Sequence, residues 1–194
     1  GMLLDDAPML ELFAELESAA ESGPYAPYRE VLGRVVDGFG KRLGFSPSDD
    51  ERASLAESVK DWKPFPDTVE SLKALKRRYG LAVVSNVDRD LFAETQKLLE
   101  VEFDCVITAQ DARSYKPAPR HFLLMLETLS RPATKVLHVA QSLHHDIAPA
   151  RLLGFRSAWV NRRKGRAGSG ATSPSSIVPE LEVDSLAGLL SLIS

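Results

Sequence analysis

Three short clusters hold the residue types that could do chemistry. Ser85 and Asn86 follow the apolar run Leu81-Ala82-Val83-Val84. Lys116 follows Cys105-Val106-Ile107, within Ser114-Tyr115-Lys116-Pro117. Gln141, Ser142 and Asp146 follow Val136-Leu137-His138-Val139. Turns just beyond the carboxyl ends of successive strands are where open α/β sheets bind ligands. The Ser85 hydroxyl, with backbone N–H groups at the start of the next helix, suits an anion. The Lys116 ammonium favours the ionised form of a nearby carboxylate, which a carboxylate nucleophile needs at neutral pH. Each residue also has a plain structural role. Ser85 and Asn86 could be turn residues ahead of a helix cap at Asp88, Lys116 a solvated lysine, and Asp146 the amino-cap of a helix with Pro149 in its first turn. Their order, each after a strand, favours the joint chemical reading.

The elements that must position these clusters divide at Trp62-Lys63-Pro64-Phe65-Pro66, where two prolines interrupt helical pattern. Before that hinge the pattern is helical throughout. One helix carries Leu10, Phe13, Ala14 and Glu17, capped by Asp5 or Asp6 with Pro8 in its first turn; another over 28–43 carries Val31, Leu32, Val35 and Phe39; a third covers 49–59. After the hinge, helices over 67–78, 88–98, 119–129 and 146–153 alternate with strands over 81–84, 105–107, 136–139 and 157–160. That alternation predicts an α/β fold, a parallel sheet with helices on both faces. Phe122, Leu123, Met125 and Leu126 form the core stripe of one helix. Residues 165–176, rich in Gly, Ser and Ala, read as a loop, and 185–193 as a closing helix. Trp62 is expected to pack between the two parts, or to wall a small apolar pocket on the helical side.

No apolar strand ending in a carboxylate precedes the first cluster. A misplaced start or a segment outside the recorded sequence explains the gap better than a natural variant that fills it from a partner chain.

Composition is that of an ordinary globular protein: 194 residues, 44% apolar, 26% charged. A formal net charge of −3 implies neither nucleic-acid nor membrane partners. The single cysteine, Cys105, excludes an intramolecular disulfide framework and reads as a core residue. No apolar run approaches a membrane span and the amino end has no signal-like pattern, so a cytoplasmic location is expected. His138, His144, His145 and Asp146 have the composition of a metal site, but their spacing matches no zinc motif. Arg162-Arg163-Lys164-Gly165-Arg166 reads as a solvated loop edge rather than a phosphate or nucleic-acid contact.

The segments SNVDRD at 85–90, SYKPAP at 114–119 and HVAQSLHHDIAPARLLGFRSAWVNRR at 138–163 resemble the second to fourth motifs of the haloacid dehalogenase superfamily, specifically its type II 2-haloacid dehalogenase branch. The resemblance extends over roughly residues 25–170. It implies a Rossmann-like parallel core over 64–194 lacking its first strand, with a partial helical cap over 1–63. The resemblance makes that absent strand the central one of the sheet, and a sheet without it leaves two strand edges unpaired and orphans backbone groups, each at about 1–3 kcal/mol, so the chain is expected to fold poorly alone. It implies hydrolytic dehalogenation of a small 2-haloalkanoic acid through an aspartyl ester, the nucleophile lying outside this sequence. Lys116, Asp146 and Ser85 would then be catalytic: Lys116 holding the nucleophile ionised, Asp146 orienting the hydrolytic water and pairing with Lys116, and Ser85 donating to the substrate. Ser85, Asn86, Gln141 and Ser142 would bind substrate. Phosphate-transferring members place an acid at the position of Gln141 and hold Mg²⁺ with it and Asp146. Gln141 therefore disfavours a metal, and no cofactor is expected unless the protein is a phosphatase. The alternatives are such a Mg²⁺-dependent small-metabolite phosphatase, or a noncatalytic binding or assembly protein. Arg29 is a halide-acceptor candidate by charge alone. A homodimer is the family's expectation.

Overall fold

The computed structural model describes residues 6–165 and 170–193. Helices α1 (Asp6–Glu21), α2 (Tyr28–Leu43) and α3 (Asp49–Ser58) come first and pack on one another. The apolar stripe of α2 does what its spacing predicts: Val31, Leu32 and Val35 have no exposed surface. Gly44 ends α2 with a φ of 79°, a left-handed value that a residue with a Cβ adopts only at a cost. Ser48 starts α3 with a capping box, its hydroxyl accepting from the Glu51 N–H while the Glu51 carboxylate accepts from its own. The predicted cap residue Asp5 lies outside the described residues, as do 166–169 of the predicted loop.

Beyond the hinge come α4 (Thr68–Lys76), β1 (Ala82–Ser85), α5 (Arg89–Leu99), β2 (Cys105–Thr108), α6 (Ala109–Ala112) and α7 (Arg120–Leu129). They are followed by β3 (Leu137–Ala140), a π-helical turn (Leu143–Ile147), α8 (Ala148–Leu152), β4 (Arg156–Val160), β5 (Leu181–Val183) and α9 (Leu186–Ile193). The predicted strands and helices are all present, shifted by one or two residues; the short α6 and β5 lacked enough residues to show a period.

All strand pairs are parallel, but they form two sheets. β1 pairs with β2, Ala82 opposite Cys105, and β3–β4–β5 form the other, Leu137 opposite Arg156 and Ala158 opposite Leu181. Neither β1 nor β3 has a second partner strand among the described residues. A shared core joins the two sheets: Cys105, Ile107, Phe122, Met125, Ala150 and Phe155, with Phe122 fully buried. Burying a side chain of that size stabilises by about 1.5–3 kcal/mol.

Three expectations are corrected. Leu123 is 50% exposed, so the buried stripe of α7 is Phe122 and Met125, with Leu126 packed against the same core at its margin. Trp62 is 52% exposed and donates to Ser58 Oγ at 3.1 Å rather than packing between the two parts. Arg162 is not a solvated loop residue: it meets Asp67 at 2.8 Å and stacks over Phe65. Among the described residues no helix is long and apolar enough to cross a membrane.

Candidate active site

The turns after β1 and β2 are tied by one amide. Asn86 Oδ1 accepts from the Lys116 N–H at 2.7 Å, and its Nδ2 donates to the Lys116 carbonyl at 3.1 Å. Asn86 thereby fixes the backbone of Lys116, whose peptide bond to Pro117 is cis. The Lys116 ammonium is turned inward, with 7% of the residue exposed. It donates to the Val84 carbonyl on β1 at 2.9 Å and to Asp146 Oδ1 at 2.7 Å. The solvated-lysine role is therefore excluded. This ion pair spans the two sheets, between a carbonyl of β1 and the turn that follows β3.

Asp146 is not a helix cap. The turn that carries it is capped by Ser142, whose hydroxyl accepts from the His145 N–H at 3.0 Å. The Asp146 carboxylate instead faces inward, meeting Lys116 and, at 3.1 Å, His138 Nε2 on β3. Burial alone would raise its affinity for a proton, but the Lys116 charge and the His138 hydrogen bond hold it well below the usual carboxylate range. Asp146 is thus an anion over the whole ordinary pH range.

Asp88 does not cap its own helix α5. Its two carboxylate oxygens accept from the N–H groups of Tyr28 and Arg29 at 3.0 Å each, capping α2 from across the molecule. Arg29 pairs with Asp90 at 2.5 Å on the surface, both side chains about half exposed. Of the other predicted site residues, Ser85 is half-buried between Val84 and Asn86, Ser142 is buried against His145, and Gln141 is exposed while its carbonyl accepts from Trp159 Nε1 at 2.8 Å.

Three side chains at this centre were not assigned to it from sequence. His138 carried a faint signal, a polar residue inside an apolar strand. His121, on α7, has no exposed surface; its ring lies against the Ser85 backbone without a hydrogen bond of good geometry, and burial and the Lys116 charge push it down to about 4. Glu21, the last residue of α1, places Oε1 3.5 Å from Asn86 Nδ2. Nothing in the spacing of α1 foretold that contact. Burial and the neighbouring Glu17 push the Glu21 carboxyl up to about 8, with Lys116 pulling the other way. Among the described residues no three His, Cys, Asp or Glu side chains gather in a way that could hold a metal ion.

A (S)-2-haloacid dehalogenase of Pseudomonas putida is 25% identical over 171 residues, 81% of this chain and 74% of its own. The 5-amino-6-(5-phospho-D-ribitylamino)uracil phosphatase YigB of Escherichia coli is 30% identical over 128 residues, 65% of this chain and 51% of its own. The chain spans only 45% and 63% of two further curated relatives. The solved L-2-haloacid dehalogenase of Xanthobacter autotrophicus superposes with a TM-score of 0.79 at 22% identity, over 94% of this chain and 84% of that one, which shows the shared fold. The sequence profile described as haloacid dehalogenase-like hydrolase matches residues 48–160, a stretch running from α3 through Lys116 and Asp146 to the end of β4. With well over half its length inside that match, this chain belongs to the haloacid dehalogenase-like hydrolases.

Proposed function

We propose that the protein hydrolyses the carbon–halogen bond of a small 2-haloalkanoic acid, with Lys116 and Asp146 at the reacting centre. The observation that carries this reading is the occupation of Asp146: its Oδ1 is held by the Lys116 ammonium at 2.7 Å and by His138 at 3.1 Å. A carboxylate so neutralised, with an exposed amide at Gln141 in place of an acid, is a poor donor set for a hard cation such as Mg²⁺. The donors therefore support chemistry without a metal.

In this reading a strand bearing a carboxylate pairs with the free edges of β1 and β3, beside the ion pair that spans them, and α1–α3 form a cap over the site. Lys116 keeps that carboxylate ionised. One of its oxygens displaces the halide from carbon 2, the new C–O bond forming as the carbon–halogen bond breaks, and an ester results. Ser85 and the N–H groups at the start of α5 hold the substrate carboxylate. Asp146, ionised and oriented by its two partners, positions the water that cleaves the ester, releasing a 2-hydroxy acid and restoring the nucleophile.

The test is halide release from 2-chloropropionate by the native full-length protein, with and without Mg²⁺, after its intact mass is compared with the 21.3 kDa of this chain. Metal-independent release, from a protein heavier than this chain, supports the reading. Release of phosphate from small phosphomonoesters only when Mg²⁺ is present would replace it with the phosphatase reading, which the similarity to the Escherichia coli phosphatase favours. A native mass of 21.3 kDa with neither activity would favour a noncatalytic binding or assembly role.

A further inference from the structure

A cavity of about 340 Å³ opens at the carboxyl ends of β3 and β4, within the size range of small-molecule sites. Gln141 and Leu143 line one part of it. They flank Ser142, the cap of the turn that carries Asp146, so the cavity adjoins that turn, while Lys116, His138 and Asp146 take no part in its lining. Trp159, on β4, lines it as well. Its Nε1 donates to the Gln141 carbonyl at 2.8 Å, so what the indole has left for an occupant is its apolar ring. The rest of the lining is the stretch after β4, with Arg163 and Lys164, and the hydroxyl-bearing segment 172–175.

Charge decides what fits. Among the described residues that line the cavity there are two cations and no carboxylate. Asn161 is spent on structure: its Oδ1 accepts from the Arg163 N–H at 3.2 Å and its Nδ2 donates to Glu182 at 3.0 Å, which shapes the turn that delivers Arg163. Gly170 leaves room for the arginine stem, since a Cβ there would lie 2.9 Å from Arg163 Cδ. Arg163 is thereby held half-buried at the cavity, with Lys164 exposed beside it. The basic run thus divides by partner. Arg162 pairs with Asp67, whereas Arg163 and Lys164 line the cavity.

We propose that this cavity is a binding site for a small aromatic carboxylate, separate from the Lys116–Asp146 centre, with the carboxylate at Arg163 and Lys164 and the ring on Trp159. A guanidinium offers two parallel N–H donors to a carboxylate, and charge-assisted hydrogen bonds are roughly twice as strong as neutral ones. A flat ring laid on the indole removes apolar surface from water and gains the contact that aromatic pairs make. An anion without a ring, or a ring without a charge, satisfies only half of the lining.

The test uses the native full-length protein and calorimetry with three probes. These are benzoate, benzamide, which has the same shape without the charge, and acetate, which has the charge without the ring. Benzoate is expected to bind about tenfold more tightly than either. Arg163→Gln and Lys164→Gln should each weaken benzoate by about tenfold and leave benzamide unchanged. Lys164 is exposed, so its variant keeps the fold, which an unchanged thermal unfolding curve verifies. Ser85→Ala, in the turn after β1, should leave benzoate binding as it was. Equal binding of benzoate and benzamide, acetate matching benzoate, no binding of benzoate at millimolar concentration, or benzoate binding unchanged in both cation variants overturns the proposal. So does loss of benzoate binding in Ser85→Ala with none in Lys164→Gln, which would put the anion at the Lys116–Asp146 centre instead.

Discussion

Lys116 and Asp146 each keep only 7% of their surface exposed, and that decides what their 2.7 Å contact is worth. Removing one partner strands the other as a buried uncompensated charge, at about 3–5 kcal/mol. Asp146→Ala is therefore expected to destabilise the protein by about that amount in denaturant unfolding. Asp146→Asn keeps the shape and an acceptor for Lys116 but also leaves the ammonium without its counter-charge, so it should unfold between the alanine variant and the unsubstituted protein, while turnover falls by about 10²–10⁴-fold, the usual contribution of a positioned base. Halide release measured on both variants separates the structural from the chemical role. Arg29 makes the opposite prediction. Its contact with Asp90 is short, yet the side chains are 48% and 61% exposed, where such pairs contribute about 0–1 kcal/mol. Arg29→Ala should cost less than about 1 kcal/mol and leave halide release unchanged; a large loss of turnover would restore Arg29 as the halide acceptor.

At the scale of elements, the joints between helices and strands are made by carboxylates that cap helices other than their own. Asp88 precedes α5 but binds the first two N–H groups of α2, so a residue of the β1 turn holds the start of the helical segment. Asp67 precedes α4 but accepts from Leu186 and Ala187 at the start of α9, at 2.7 and 3.3 Å, while pairing with Arg162. Losing such a cap costs about 0.5–2 kcal/mol. Asp88→Ala is expected to fall at the upper end, because Tyr28 is buried and its N–H has no access to water. If hydrogen exchange at the start of α2 does not accelerate in that variant, the cap is not what anchors the helix. Asp88 looks from sequence like a local cap, since a pattern of Asp before a helix reports the residue type and not the direction of its carboxyl.

For the whole molecule, buried titratable groups set a narrow pH range of greatest stability. Burial, with the Lys116 charge, lowers His121 to about 4, and burial, with His144, does the same to His145, against an ordinary 6.5. The unfolded chain takes up those protons first, so stability is lost as pH falls from about 6.5 to about 4. Glu21 lies on the other side. Its carboxyl is raised from 4.5 to about 8, the folded state holds the extra proton, and stability is lost as pH rises across that range. Melting temperature should therefore peak in weakly acidic solution. His121→Phe should flatten the acid limb and Glu21→Gln the alkaline one. A melting temperature flat from pH 4 to 8 would show that neither group is buried as described.

What the sequence by itself determined is local. Apolar runs bounded by turn residues placed every strand of the first three clusters, and helical spacing placed α2 and, apart from Leu123, the buried face of α7, because those patterns need only neighbours within one or two turns. The order of Ser85, Lys116 and Asp146 after successive strands was also legible, since a parallel α/β chain brings such turns to one edge. Direction and distance were not. That Lys116 turns inward, that His138 and not a cap hydrogen bond meets Asp146, that Trp62 faces solvent, and that Glu21 reaches Asn86 from 65 positions away depend on how separate elements dock. Those contacts are set by packing between segments whose separation in the chain carries no period, so only the tertiary structure decides them.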